Sequence, residues 1–194
     1  LRGTRLKTTV LSLVGQYQHE LLVVGWGANM FGVDGQEWAA LKALAGHVGW
    51  MRAVRLGLYI RRQTQQGHPF KSLPPAVDER EAESREQLAG AVLLYMRLRE
   101  TDSRERALEV VAPVVEASAH VLLSENIGEI DWQALAEEEG RHRYIDERLR
   151  RFPNTVYQIE EMGARRVRFT VSHCHFATLC KALGVPELSP VFCA

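Results

Sequence analysis

The chain has 194 residues, 46% apolar and 25% charged, and its 24 basic and 24 acidic side chains give a formal net charge of zero. This composition indicates an ordinary globular protein of one or two domains that can bury a real core. Three cysteines do not make a disulfide framework and no secretory signal is visible, so we expect a cytoplasmic protein. The most apolar run, residues 21–33, is shorter than the roughly 20 residues of a membrane-spanning helix, so no integral membrane segment is expected.

Charge is divided between two parts of the chain. Residues 1–71 hold nine Lys and Arg against three acids, whereas residues 72–194 hold fifteen against twenty-one. The halves are expected to pack on each other, or the basic half to lie in a homo-oligomer. No nucleic-acid motif accompanies the basic charge, so no nucleic-acid partner is expected. The basic amphipathic stretch 42–62 leaves a membrane-surface role as an alternative to burial in the core.

Most of the chain shows helical periodicity or helix end signals. The predicted helices, in chain order, are 5–31, 36–64, 78–99, 104–124 and 131–151. Asp102 or Ser103 is the expected cap of the fourth, and Leu88, Val92, Tyr95 and Met96 form the expected apolar stripe of the third. Breaker residues predict a loop at 67–77 between a basic helical region, 1–66, and a second region, 78–194.

Two strands are predicted near the C-terminus, at 155–161 and 165–173, with a turn at 162–164. The alternation of Val167, Phe169 and Val171 with polar residues predicts one apolar strand face. The fold class is therefore α+β, mostly helical with a small C-terminal antiparallel sheet. Because two strands alone are marginally stable, we expect a third strand or helices packed on one face.

Cys174 stands where the second strand passes into a predicted helix, which Gly184 and Pro186 are expected to end. A helix N-terminus favours an anion, which lowers the pKa of a thiol and makes it more reactive. His173 and His175 flank it, although adjacent side chains of an extended strand point to opposite sides. The alternative is that Cys174 is a small buried residue that ends the strand.

The C-terminal pattern F-x-V-x-x-C-x-F, L-G-x-P-E-L and F-C resembles the signature of the L-2-amino-thiazoline-4-carboxylate hydrolase family. The residues that match it are Phe169, Val171, Cys174, Phe176, Leu183, Gly184, Pro186, Glu187, Leu188, Phe192 and Cys193. The resemblance covers about thirty of the 194 residues, and several of the matched positions are of types common in cores and turns. It implies hydrolysis of a non-peptide C–N bond in a small cyclic amidine, in which water adds to the carbon between nitrogen and sulfur and the ring opens.

That chemistry requires a nucleophile, a proton donor and a cation for the substrate carboxylate. The candidates are Cys174 or Cys193 as nucleophile and His173 or His175 for proton transfer. Arg166 or Arg168 would bind the carboxylate, although either is equally expected to pair with Glu160 or Glu161 across a hairpin. The predicted partner is a small-molecule substrate, and no cofactor is expected. A non-catalytic protein that binds a small ligand or cofactor remains the first alternative.

A second alternative is a helical metal or redox protein. Glu116 with His120, and Glu138 with His142, are spaced four apart on predicted helices, and Asp146 follows one turn later. The recurrent di-metal signature instead spaces Glu and His three apart, so locally paired or solvated charges are the preferred interpretation, and no metal site is predicted.

Overall fold

The computed structural model describes residues 35–127, 132–152, 154–163 and 166–192. The predicted helix at 5–31, the apolar run at 21–33 and the candidate nucleophile Cys193 lie outside these ranges.

The described chain is mostly helical with a two-stranded antiparallel sheet near the C-terminus, which confirms the predicted fold class. The helices are α1 (Gly35–Val48), α2 (Trp50–Gln65), α3 (Glu79–Arg99), α4 (Arg104–Ile127), α5 (Trp132–Ala136), α6 (Glu138–Leu149) and α7 (His175–Ala182). The strands are β1 (Thr155–Met162) and β2 (Val167–Cys174), and short 3-10 helices span Phe70–Ser72 and Pro186–Phe192.

Two helices predicted as continuous are each divided. Gly49 separates α1 from α2 with a φ of 79°, a left-handed conformation that favours glycine. Glu137 is extended between α5 and α6. Arg141 Nη1 donates to the carbonyl oxygens of Leu135 and Ala136, at 3.0 and 3.1 Å, and so satisfies the end of α5.

Side chains cap the two longest helices at their first turns. The Asp78 carboxylate accepts from the Glu81 backbone N–H at 2.8 Å, and the Glu81 carboxylate accepts from the Val77 N–H at 3.3 Å. This reciprocal arrangement resembles a capping box and fixes the start of α3. Of the two caps predicted for α4, Ser103 is the one used, because its Oγ accepts from the Arg106 N–H at 3.2 Å.

Among the described residues, one apolar core contains side chains of helices α1, α2, α3, α4 and α7 and of the C-terminal 3-10 helix. Leu88, Val92 and Tyr95 are fully buried on α3, as the predicted stripe requires. The assignment of Met96 to that stripe is wrong, since its side chain is 43% exposed. The stripe continues instead at Leu98, three residues after Tyr95, which keeps the helical spacing.

The α4 segment Arg104–Ser124 is long and apolar enough to cross a membrane by length and composition, with a mean hydropathy of 1.5 over its most apolar window. The same helix packs on α1 and α3 and buries Ala107, Val110 and Val111. Core helices and membrane spans share these properties, so the expected lack of an integral membrane segment stays a prediction.

The strands pair antiparallel, with Thr155 opposite Cys174 and Glu161 opposite Arg168. Within the described ranges no third strand joins them, and α6 packs against β1. The apolar face expected for β2 is not buried, because Phe169 and Val171 are 45% and 44% exposed. Alternation predicted the strand correctly but not its burial, since burial requires a layer that covers the face.

Candidate functional site

Cys174 ends β2 and is the N-cap residue of α7, with extended φ and ψ of −127° and 111°. Its side chain makes no capping hydrogen bond, while its carbonyl oxygen accepts from Thr178 Oγ1 at 3.2 Å. The thiol is free and half-buried, and part of it packs against the apolar core. The geometry is therefore compatible with both interpretations, a reactive thiol at a helix N-terminus and a small, partly buried residue that ends the strand.

The two flanking histidines lie together. Their ring centroids are 4.7 Å apart in an edge-to-face arrangement, as expected for side chains two residues apart along a strand end. His173 is exposed and His175 is buried. The His175 backbone N–H donates to the Asn154 carbonyl oxygen at 2.8 Å, which ties the start of α7 to the start of β1.

An acid–base pair from α3 lies beside this junction. Glu81 Oε1 and Arg85 Nη2 are 2.5 Å apart, and both side chains are largely buried. The hydrogen bond from Arg85 is the main cause that lowers the pKa of Glu81, and the charge of His175 acts in the same direction. The Arg85 guanidinium also lies over the Phe70 ring, 5.6 Å from its centroid. The i, i+4 spacing makes the pair readable from sequence, whereas its position near His175 follows only from the packing of α3 on α7.

The arginines predicted to bind a substrate carboxylate lie away from Cys174. Arg168 pairs with Glu161 across the hairpin at 3.7 Å, which confirms the cross-strand alternative for this residue. Six residues of extended strand, about 20 Å, separate Arg168 from Cys174. Arg166 precedes β2 and is exposed. In this arrangement a small molecule that contacts Cys174 cannot also contact Arg166 or Arg168.

The L-G-x-P part of the signature ends α7 in a Schellman motif. Gly184 has a φ of 74°, and its N–H donates to the Lys181 carbonyl oxygen at 3.1 Å. The Val185 N–H donates to the Cys180 carbonyl oxygen at 2.9 Å, and both residues are buried. These two bonds are those of the motif, and Pro186 then begins the next helix.

The following Glu and Leu anchor the C-terminal 3-10 helix. Tyr95 Oη donates to Glu187 Oε1 at 2.5 Å, and Arg104 Nε lies 3.7 Å from the same oxygen. The hydrogen bond from Tyr95 lowers the pKa of Glu187, whereas burial is the main cause that raises the pKa of Tyr95 to about 12. Leu188 is fully buried, and the Phe192 ring lies against Phe176 with centroids 5.2 Å apart. Much of the matched signature therefore has a structural role in this chain.

Three residues of the metal alternative, Glu116, His120 and Asp146, make local contacts. His120 Nε2 lies 3.9 Å from Glu116 Oε1 on an exposed face of α4. Asp146 accepts from Arg150 at 2.7 Å and from the Tyr157 hydroxyl at 3.0 Å. In the part of the chain that the structure describes, no three His, Cys, Asp or Glu side chains are grouped as a metal site.

Comparisons of the chain with protein-family models, curated proteins and solved structures find no significant match. The family resemblance of the C-terminal signature accordingly stays a prediction.

Proposed function

We propose that the protein hydrolyses a C–N bond of a small cyclic amidine, such as a thiazoline carboxylate, at a site around Cys174. The observation that supports this proposal is the position of a free, half-buried thiol at the N-terminus of α7. The N–H groups in the first turn of a helix stabilise negative charge that develops on a substrate bound there. The proposed setting is cytoplasmic small-molecule metabolism.

In the proposed reaction the Cys174 thiolate adds to the electrophilic amidine carbon, and water later releases the ring-opened carbamoyl product. His173 or His175 transfers the proton that the departing ring nitrogen requires. His175 has the stronger structural support, because its side chain is buried and lies near the Glu81 carboxylate. Cys193 remains an alternative nucleophile outside the described residues.

A substrate carboxylate needs a cation near the reacting carbon. Arg166 and Arg168 remain predicted partners, although their distance from Cys174 requires the hairpin to rearrange. Arg85 is a further candidate, since Glu81 fixes its guanidinium on the side of α3 that lies near His175. Displacement of Glu81 by a substrate carboxylate would preserve the charge balance of Arg85.

The test is an assay of the purified chain with L-2-amino-thiazoline-4-carboxylate, in which mass spectrometry detects the product with one added water. We expect turnover by the unmodified chain and a loss of at least about 100-fold in kcat for Cys174→Ser. Cys180→Ala is the matched control, because Cys180 is a fully buried thiol on the same helix. It should retain most of the activity of folded protein.

Turnover that survives in Cys174→Ser would exclude Cys174 as the nucleophile, and equal losses in both variants would indicate a structural effect. Binding of the thiazoline without product would instead favour the non-catalytic alternative, a small-ligand protein. That alternative is supported by the partial packing of Cys174 against the core. Protection of Cys174 from a thiol reagent by the ligand would locate the site in either case.

A further inference from the structure

A concave site lies between α2 and α3, at the opposite end of α3 from Cys174. It is a cavity of about 250 Å³ that is open to solvent. Arg52, Arg55 and Arg97 line it, together with the buried side chains of Leu56 and Leu98. Sixteen residues of α3 separate Arg97 from Glu81 beside His175, about 24 Å along the helix. The cavity is therefore distinct from the Cys174 site.

The positive charge around the cavity is only partly neutralised. Arg52 pairs with Asp102 at 3.1 Å, and Arg97 pairs with Glu100. Among the residues that the structure describes, no ion pair or hydrogen bond engages the side chain of Arg55. Three arginines of the lining thus have two carboxylate partners among the described residues, which leaves an excess of positive charge next to a low-dielectric apolar surface.

Two neighbouring groups hold this arrangement in place. The Arg97 guanidinium lies over the Tyr59 ring, 5.2 Å from its centroid, which orients it against the cavity wall. Thr101 Oγ1 accepts from Arg52 Nη2 at 3.4 Å and donates to Asp102 Oδ2 at 3.1 Å. Two of the three arginines are thus positioned before any ligand arrives, which reduces the entropy cost of binding.

We propose that this arginine cavity binds a phosphate group, with Arg55 as its principal contact. A phosphomonoester has three acceptor oxygens and up to two negative charges, which suits the unpaired guanidinium fork of Arg55 beside two further arginines. The volume is below the 300–1,000 Å³ that is usual for drug-sized ligands, so it suits a single phosphate with little attached body.

The phosphate can belong to a soluble metabolite or to a lipid headgroup. The same helix exposes Met51 and Leu58, by 73% and 61%, close to Arg55 in sequence and on the same helical face. Such a face suits an anionic lipid surface, whereas the small concavity alone suits a soluble phosphate. The two sources share one recognition chemistry and are separated by experiment.

The test is a calorimetric titration of the full chain with inorganic phosphate and with glycerol 3-phosphate at constant ionic strength. Arg55→Gln should weaken binding by at least about tenfold, because it removes a charge-assisted bidentate contact. Arg62→Gln is the matched control, since it removes the same charge from an exposed site on the same helix outside the cavity. It should change affinity less than about twofold.

A second arm measures co-sedimentation with phosphatidylcholine vesicles that contain phosphatidic acid. Loss of sedimentation in Arg55→Gln but not in Arg62→Gln supports the cavity with a lipid headgroup as its ligand. Phosphate binding that depends on Arg55 without such a difference supports the cavity with a soluble phosphate. Equal effects of the two variants in both arms, or binding of neither probe, would overturn the proposal.

Discussion

Tyr95 and Glu187 make a polar side-chain contact between α3 and the C-terminal 3-10 helix. The Tyr95 hydroxyl is buried and donates to a carboxylate that is itself largely buried, with Arg104 on its outer side. A hydrogen bond between a neutral donor and an ionised acceptor contributes more than a neutral pair. Removal of either partner leaves a polar group poorly satisfied inside the protein.

Tyr95→Phe is therefore expected to lower the free energy of unfolding by about 1.5–3 kcal/mol at pH 7, as measured by urea denaturation. The lowered pKa of Glu187 makes its contribution complete above the ordinary value of 4.5 and lost as the pH falls through the folded-state pKa. The raised pKa of Tyr95 makes its contribution complete below 10.0 and lost as the pH rises toward about 12. The cost of the substitution should be largest between these limits and smaller on either side.

Tyr59→Phe is the control for this prediction, because the Tyr59 ring stacks under Arg97 and no hydrogen bond engages its hydroxyl within the described residues. It should change the free energy of unfolding by less than about 0.5 kcal/mol. A cost of Tyr95→Phe that is the same at pH 3 and pH 7 would contradict the assignment to the Glu187 carboxylate.

The sequence predicted which single residues are buried better than it predicted which residues they contact. Helical spacing predicted the burial of Tyr95, and the C-terminal signature included Glu187. Their contact spans 92 residues of sequence, so no local pattern indicates it. Glu81 and Arg85, in contrast, are four residues apart on one helix, and their pairing follows from helix geometry alone.

At the scale of elements, the sequence predicted helix ends correctly where the terminal residues are of types that strongly favour a helix end. Gly184 and Pro186 predicted the end of α7, and Ser103 was one of two predicted caps of α4. The break at Gly49 was missed, because a single glycine is also tolerated inside a helix and only packing decides between the two outcomes.

Gly184→Ala should destabilise the protein by about 1–2 kcal/mol, because an L-residue is strained in the left-handed conformation that the Schellman motif requires. Gly46→Ala is the matched control, since Gly46 lies inside α1 and an added Cβ meets nothing within 4 Å. That substitution should stabilise by about 0.5–1 kcal/mol through helix propensity. Thermal unfolding of both variants measures these opposite changes in stability. If Gly184→Ala leaves the stability unchanged, the chain can leave the left-handed conformation at little cost.

At the scale of the whole molecule, stability is expected to reside in the helical core and little of it in the hairpin. The sequence predicted the hairpin and its antiparallel pairing, yet a strand pattern alone does not reveal whether another layer covers its apolar face. In the described structure, Phe169 and Val171 remain about half exposed, whereas α3 is enclosed by α2, α4 and α7. An apolar side chain in α3 is therefore expected to contribute more to the free energy of unfolding than the same side chain on β2.

Val92→Ala and Val171→Ala test this difference with one chemical change. Val92 is fully buried in α3, so its truncation removes two methyl groups from a packed core and should cost about 1.5–3 kcal/mol. Val171 is 44% exposed on β2, where cross-strand contact with Tyr157 leaves an expected cost below about 1 kcal/mol. Urea denaturation of both variants measures the two losses in the free energy of unfolding. Equal costs would mean that the outer face of β2 is covered in the native protein, by a second copy or by residues outside the described ranges, because only a covered face gives Val171 the energetic weight of a core residue.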